Sequence, residues 1–183
     1  MRYLFETTEN LRRKRPNNMA SNISTKILEI RKDSIKNSMG DLNTMPHRQH
    51  YIDSIDGVMY YDDSQAESVN ATWFTFENIY NPVVWIVGGS GHSNYSELLD
   101  TARSKVRTII SLGEEKENIR MTFQGAVKEI HEAESIEEAV NMASILAEEN
   151  DIVLFSPACK DQAMSYGERG EIFAEEVKKL GNA

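Results

Sequence analysis

Three short stretches of this 183-residue chain gather residue types that can do chemistry. Asp62 and Asp63 stand side by side where an apolar run ends. Paired carboxylates at such a place either bind a ribose hydroxyl or a metal ion, or cap the helix that follows. Gly88, Gly89, Ser90 and Gly91 close the run Val83 to Val87, with His92 next in line. Glycines let a ligand or another backbone come close. The turn is therefore either a plain strand-to-helix connection or an anion loop in which His92 donates a hydrogen bond or a proton. Ser156, Pro157, Ala158 and Cys159 follow a third apolar run. The Ser156 hydroxyl and the next amides suit a carboxylate, and a small-residue turn around a buried cysteine is the plainer account.

Several chemistries are excluded on the same residues. The glycine turn does not complete G-x-G-x-x-G, and the 183 residues contain no G-x-x-x-x-G-K-[ST] phosphate loop. No Ser, His and Asp are spaced for nucleophilic catalysis, so no catalytic residue is assigned. The single cysteine, Cys159, excludes an internal disulfide and cannot make a zinc site by itself. A net charge of -9 argues against nucleic acid as the main partner, because the phosphate backbone calls for a basic footprint. Residues 1–36 nonetheless carry +5, and the run Arg12 to Arg15 reads as a solvated or frayed terminus in preference to a patch for an anionic surface. No apolar run is long enough to span a membrane, and the amino terminus lacks the apolar centre of a signal peptide, so a cytoplasmic protein is expected.

The elements that must position these loops follow from hydrophobic spacing. Residues 1–18 have no clean periodicity and are expected to form a basic, poorly structured arm. Residues 19–45 carry an apolar helical face at Ile23, Ile27 and Ile30 and a second short helix ending near Gly40. The spacing predicts an antiparallel hairpin turning at Asp56-Gly57. Beyond it, helices are predicted over 69–79, 95–105, 116–123, 135–147 and 168–180, and strands over 83–87, 108–112, 127–130 and 151–155. Ser135 and Glu138 form a capping-box pattern. Val83 to Val87 reads as a strand buried on both faces. Alternation of this kind implies right-handed crossovers and an α/β, Rossmann-like, doubly wound, mostly parallel sheet, with the hairpin at its start and a short helical segment before it. Ligands of such sheets bind at the carboxyl edge, where all three loops fall.

Taken together and in order, these loops resemble the Mur ligases. The residues that carry the resemblance are Pro46-His47-Arg48, Asp63-Ser64-Gln65-Ala66, Val69-Asn70-Ala71-Thr72, the Val83 to Gly89 strand, Leu154 to Cys159, and Glu168-Arg169-Gly170 with Phe173. It covers residues 19–180, with 46–183 as the carboxyl-terminal domain and 19–45 as the last helices of a central ATPase-type domain. It is nearest to the D-glutamate-adding branch, and implies a part in peptidoglycan precursor synthesis. The family uses ATP and magnesium to activate a carboxylate, which the amine of the incoming amino acid then attacks. By position, Arg48 and Asp63 would contact ATP, and Ser156 would hold a D-glutamate carboxylate.

Departures from the family pattern fall on the amino-acid loops. Gln65 and Glu67 replace a lysine and a threonine, and the lysine expected after the glycines is absent, with His92 nearest. Losing a cation and adding an acid weakens a site for a dianionic amino acid. The stretch after Cys159 is two residues short and lacks the expected aromatic. ATP-dependent ligation needs its phosphates clamped, and no motif here does so. The expectation is a ligase domain that is not catalytic alone, needs the remaining ligase domains or another protein as partner, and binds neither ATP nor magnesium tightly by itself. The alternative is a degenerate, non-catalytic Mur-ligase-like interaction module.

Overall fold

The computed structural model describes residues 45–182. The arm expected at 1–18, and all but Met45 of the helical segment expected at 19–45, lie outside the described residues. The described chain opens on strands β1 (His50–Ile55) and β2 (Val58–Asp62), paired antiparallel. Asp56 and Gly57 both take positive φ, 51° and 77°, which is the backbone of a type I′ turn. The predicted hairpin is present, turned by the predicted dipeptide.

From there strands and helices alternate. Helix α1 (Val69–Glu77) leads to β3 (Val83–Gly89), and a 3₁₀ turn (Tyr95–Leu98) runs into α2 (Leu99–Lys105). Next come β4 (Val106–Gly113), α3 (Lys116–Phe123), β5 (Glu129–Glu132), α4 (Ile136–Leu146), β6 (Ile152–Phe155) and α5 (Tyr166–Gly181). The six strands form one sheet in the order β1-β2-β6-β3-β4-β5, parallel except at β1. Helices cover both faces, as the sequence implies for a doubly wound sheet. Among the described residues no helix is long and apolar enough to cross a membrane.

Strand alternation divides the core. Val84, Ile86, Ile110, Val153 and Phe155 point to one face and pack against Ala139, Val140 and Ala143 of α4 and Phe173 and Val177 of α5. Val83, Trp85, Val87, Ile109 and Leu154 point to the other, against Phe76, Leu98, Ala102, Ile119 and Phe123. Because β3 contributes to both, every one of its residues is buried. Phe76 and Phe123 meet the Trp85 ring edge-on, with centroids 5.1 and 5.5 Å away. Each such pair adds about 0.5–1.5 kcal/mol beyond its buried area.

Several boundaries differ from expectation for physical reasons. The helix predicted at 95–105 begins as a 3₁₀ turn, whose three-residue period stacks Tyr95 and Leu98 on the same buried side. The strand predicted at 127–130 lies two residues later. Residues 124–127 are occupied by a turn with Gly125 at φ 78°, and only Ile130 of the edge strand packs inward. Half of the Ser135 capping box forms: the Ser135 hydroxyl accepts from the Glu138 amide, and the Glu138 carboxylate accepts from Glu134 instead of Ser135. A complete capping box sits instead at Ser165 and Glu168, so α5 begins two residues before the predicted start. Gly181 is its last residue, and Asn182 is the cap.

Candidate functional site

The carboxyl edge of the parallel strands gathers the predicted loops. After β2 the chain folds back at once: Asp63 donates its amide to the Phe155 carbonyl and accepts, through its own carbonyl, from Ala66. This holds Asp63 directly beside Ser156, the first residue after β6. The Asp63 carboxylate, wholly buried, accepts from the Arg48 guanidinium at 2.5 Å, the Thr75 and Ser156 hydroxyls at 2.7 Å each, and the Gln49 amide at 3.2 Å. Arg48 gives its other terminal nitrogen to the Ala71 carbonyl at 2.8 Å. Thr72 and Ser156 share a 2.8 Å hydrogen bond. Trp85 closes the cluster from the core, its indole N–H donating to the Ser156 carbonyl at 2.7 Å.

Arg48 reaches this cluster through a constrained approach. His47 and Gln49 on either side of it have φ 60° and 48°, a left-handed backbone that costs of order 1–3 kcal/mol per non-glycine residue. His47 is pinned by its Nδ1, 2.7 Å from Asp62 Oδ2, and by its carbonyl, which accepts from the Gln65 amide. Neither aspartate caps a helix; the cap of α1 is the Ser68 hydroxyl, which accepts from the Ala71 amide. Burial pushes the Asp63 carboxyl up to about 6, against the downward pull of Arg48 first, then of the two hydroxyls and the Gln49 amide. It is therefore ionised at neutral pH. Removing one partner of such a buried pair typically costs about 3–5 kcal/mol.

The glycine turn meets the Ser156 loop rather than open space. Gly88 donates to the Pro157 carbonyl, and the Ser90 hydroxyl donates to Asp161 at 2.8 Å. Ser93 donates to the Ala158 carbonyl at 2.8 Å. A Cβ on Gly91 would lie 2.3 Å from the Lys160 carbonyl oxygen, and one on Gly113 would lie 2.4 Å from that of Gly89. These glycines accommodate neighbouring backbone. Cys159 is buried beneath, and burial pushes its thiol up, away from the reactive thiolate.

The remaining predicted residues spread along the edge. Gln65 and Glu67 are half-buried on the loop after β2. Gln65 Oε1 is buried without a hydrogen-bond partner, and Glu67 lies 3.5 Å from Arg169. The His92 side chain is 93% exposed and turns to Glu115, 2.6 Å away. The structure thus joins Arg48, Asp63 and Ser156 in one cluster, places Gln65 and Glu67 beside it, and sets His92 on the next loop along. Among the described residues no group of three or more His, Cys, Asp or Glu could hold a metal ion.

Sequence reasoning did not assign Thr72, Thr75 or Arg169 to the site. The two threonines are three apart on α1, a spacing that puts both hydroxyls on one face. Both are fully covered, in a helix otherwise turned to the apolar core. Arg169, 2% exposed, donates to the Ser64 carbonyl at 2.7 Å and reaches that of Cys159 at 3.5 Å, so it ties the first loop to the third. Burial pulls its guanidinium down from the ordinary value, with Glu67 acting against that. It borders a cleft of about 370 Å³ floored by Gly88, Gly89 and Gly113.

Known proteins resemble the chain in both sequence and fold. The chain is 35% identical over 167 residues to the UDP-N-acetylmuramoylalanine--D-glutamate ligase of Salinibacter ruber, covering 90% of this chain and 36% of that protein. The protein of the same name from Christiangramia forsetii is 39% identical over 167 residues, covering 90% and 38%. The chain therefore spans little more than a third of the length of these relatives. Among solved structures, a murein peptide ligase from Psychrobacter arcticus superposes with a TM-score of 0.56 at 15% identity, over 75% of this chain and 30% of that one. FolC of E. coli in complex with ADP superposes with a TM-score of 0.54 at 16% identity, over 76% and 33%. Residues 47–159 match the model of the Mur ligase glutamate ligase domain, and the chain belongs to the Mur ligase family.

Proposed function

We propose that this chain is the acceptor-side domain of an ATP-dependent ligase that adds D-glutamate to a nucleotide-linked muramoyl-alanine, a step of peptidoglycan precursor synthesis. The observation that carries this reading is the 35% and 39% identity over 90% of the chain to relatives bearing that ligase's name. When bound, ATP supplies the phosphoryl group that activates the muramoyl carboxylate, with magnesium balancing its charge; the described residues offer no metal cluster and are assigned no part in holding that ion. Their part is positional. Arg48 and Asp63 order the edge that faces the nucleotide, and Ser156, with Gln65 and Glu67 beside it and His92 on the next loop along, receives the amino acid. Catalysis takes place together with the domains that clamp the phosphates.

A second reading, a non-catalytic Mur-ligase-like module that binds another protein, is favoured by one observation. Glu67 and His92, which stand where the family presents a threonine and a lysine, are turned to internal partners, Arg169 and Glu115. Domain exchange separates the two. Residues 46–183 replace the corresponding domain of the Salinibacter ruber relative, and D-glutamate-dependent phosphate release from ATP is measured. The first reading predicts release above the background without amino acid, raised further by Gln65→Lys. A folded chimera with no D-glutamate-dependent release in either form leaves the interaction module.

A further inference from the structure

We propose that a pocket on one face of the sheet, beside the carboxyl end of α1, binds a neutral pyranose sugar. The pocket, of about 420 Å³, is lined by Met59 and Tyr61 of β2, Ile152 and Leu154 of β6, and Ile79 and Tyr80 where the chain leaves α1. The four strand residues belong to the Trp85 face of the sheet. Phe76 packs on Trp85 and α1 ends one residue later, so Met59 and Tyr61 beyond it are left half-buried. Tyr51 meets Tyr61 edge-on with ring centroids 5.5 Å apart, which steadies the Tyr61 ring. None of Arg48, Asp63, Gln65, Glu67, His92 and Ser156 lines this pocket, so the inference goes beyond the function proposed above.

The lining decides what fills it. None of its ten residues is charged, in a chain where 27% of residues are, so an ion brought there would give up water and find no countercharge. Lys105, whose ammonium lies 5.9 Å from the Tyr80 ring centroid, is committed to the Phe76 and Ile79 carbonyls. Three carboxamides also line the pocket, each tied back through its nitrogen: Gln49 to the Thr75 hydroxyl at 3.4 Å, Asn78 to the Phe74 carbonyl at 3.1 Å and Asn81 to the Asn150 carbonyl at 2.9 Å. Their oxygens accept no hydrogen bond among the described residues. Three neutral acceptors beside tyrosine rings call for an uncharged ligand with several donors and an apolar face. A pyranose has both, its hydroxyls donating at the rim and its C–H face resting on the negative face of an aromatic ring. A purine would set its own ring acceptors against the carboxamide oxygens.

The test is an amide chemical-shift titration of the full chain with methyl β-D-glucopyranoside and methyl β-D-galactopyranoside. Tetrahydropyran-2-methanol, which keeps the ring and lacks the ring hydroxyls, is the control. The expected result is saturable shifts with at least one glycoside at Tyr61, Asn78, Tyr80 and Asn81, with a dissociation constant on the order of millimolar, and none with the control. Tyr61→Ala should weaken binding about tenfold, and Asn78→Ala about threefold to tenfold. Asn78 is exposed, so its variant keeps the fold even where loss of the Tyr61 ring disturbs the strands. The proposal is overturned if neither glycoside gives saturable shifts at about 50 mM, where a millimolar site is filled. It is equally overturned if the control shifts the same amides with the same affinity, which would mark a merely apolar pocket, or if folded Asn78→Ala binds like wild type. D-Glutamate titrated in parallel reports on Gln65, His92 and Ser156, so the acceptor-site reading stands or falls on different signals.

Discussion

The Asp63 carboxylate is held by four donors and still titrates at about 6, well above its ordinary 3.8. A carboxyl whose folded pKa is raised holds its proton more tightly folded than unfolded. Its contribution to stability is therefore full below pH 4 and is lost as pH rises towards 6, then stays flat. Relative to Asp63→Asn, which cannot ionise, the wild type should lose roughly 3 kcal/mol across that window. Urea denaturation of both proteins at pH 4, 6 and 8 checks this, and a pH-independent difference would contradict it. The carboxylate itself was legible in the sequence because two acids ended an apolar run. The helix hydroxyls of the cluster were not, neither Thr75, which donates to that carboxylate, nor Thr72, which pairs with Ser156: threonines in a helical segment carry no periodic signal separating a buried hydrogen bond from an ordinary helix position. Arg169 was visible only as part of a motif, since its work of joining loops about a hundred residues apart in sequence is a property of the fold.

Elements position the cluster through close backbone contacts, and glycines show where those contacts are. Gly113 has φ 72°, and a Cβ there would press into the Gly89 carbonyl carbon and oxygen at 2.6 and 2.4 Å. Gly125 has φ 78° and open space around it. Gly113→Ala should therefore cost about 3 kcal/mol or more, combining strain and clash, and Gly125→Ala only about 1 kcal/mol from strain alone. Equal costs in urea denaturation would mean that the strand ends yield. At the start of α5 the complete capping box predicts that Ser165→Ala costs about 1 kcal/mol and raises hydrogen exchange in the first turn, where Arg169 sits. Unchanged exchange at residues 166–170 would count against it. Element types were read well where apolar spacing is strong: α3 occupies its expected bounds, and β3 is the fully buried strand expected. The edge strand β5 was displaced because one inward residue, Ile130, sets no register by itself.

At the scale of the whole domain, the sheet brings loops from residues 63, 90 and 156 onward to one edge. The sequence made this architecture legible through its alternation of strands and helices. The order that places β6 between β2 and β3 rests on long-range pairing and came only with the fold. The central claim is that this edge still receives D-glutamate despite the exchanged residues Gln65, Glu67 and His92. The most direct measurement is an amide chemical-shift titration of the intact chain with D-glutamate, with L-glutamate as control. We expect saturable, weak shifts for the D form alone at Gln65, His92 and Ser156, tightened about tenfold by Gln65→Lys, the size of one charge-assisted hydrogen bond. No shift with either enantiomer, in wild type and Gln65→Lys alike, would contradict the assignment.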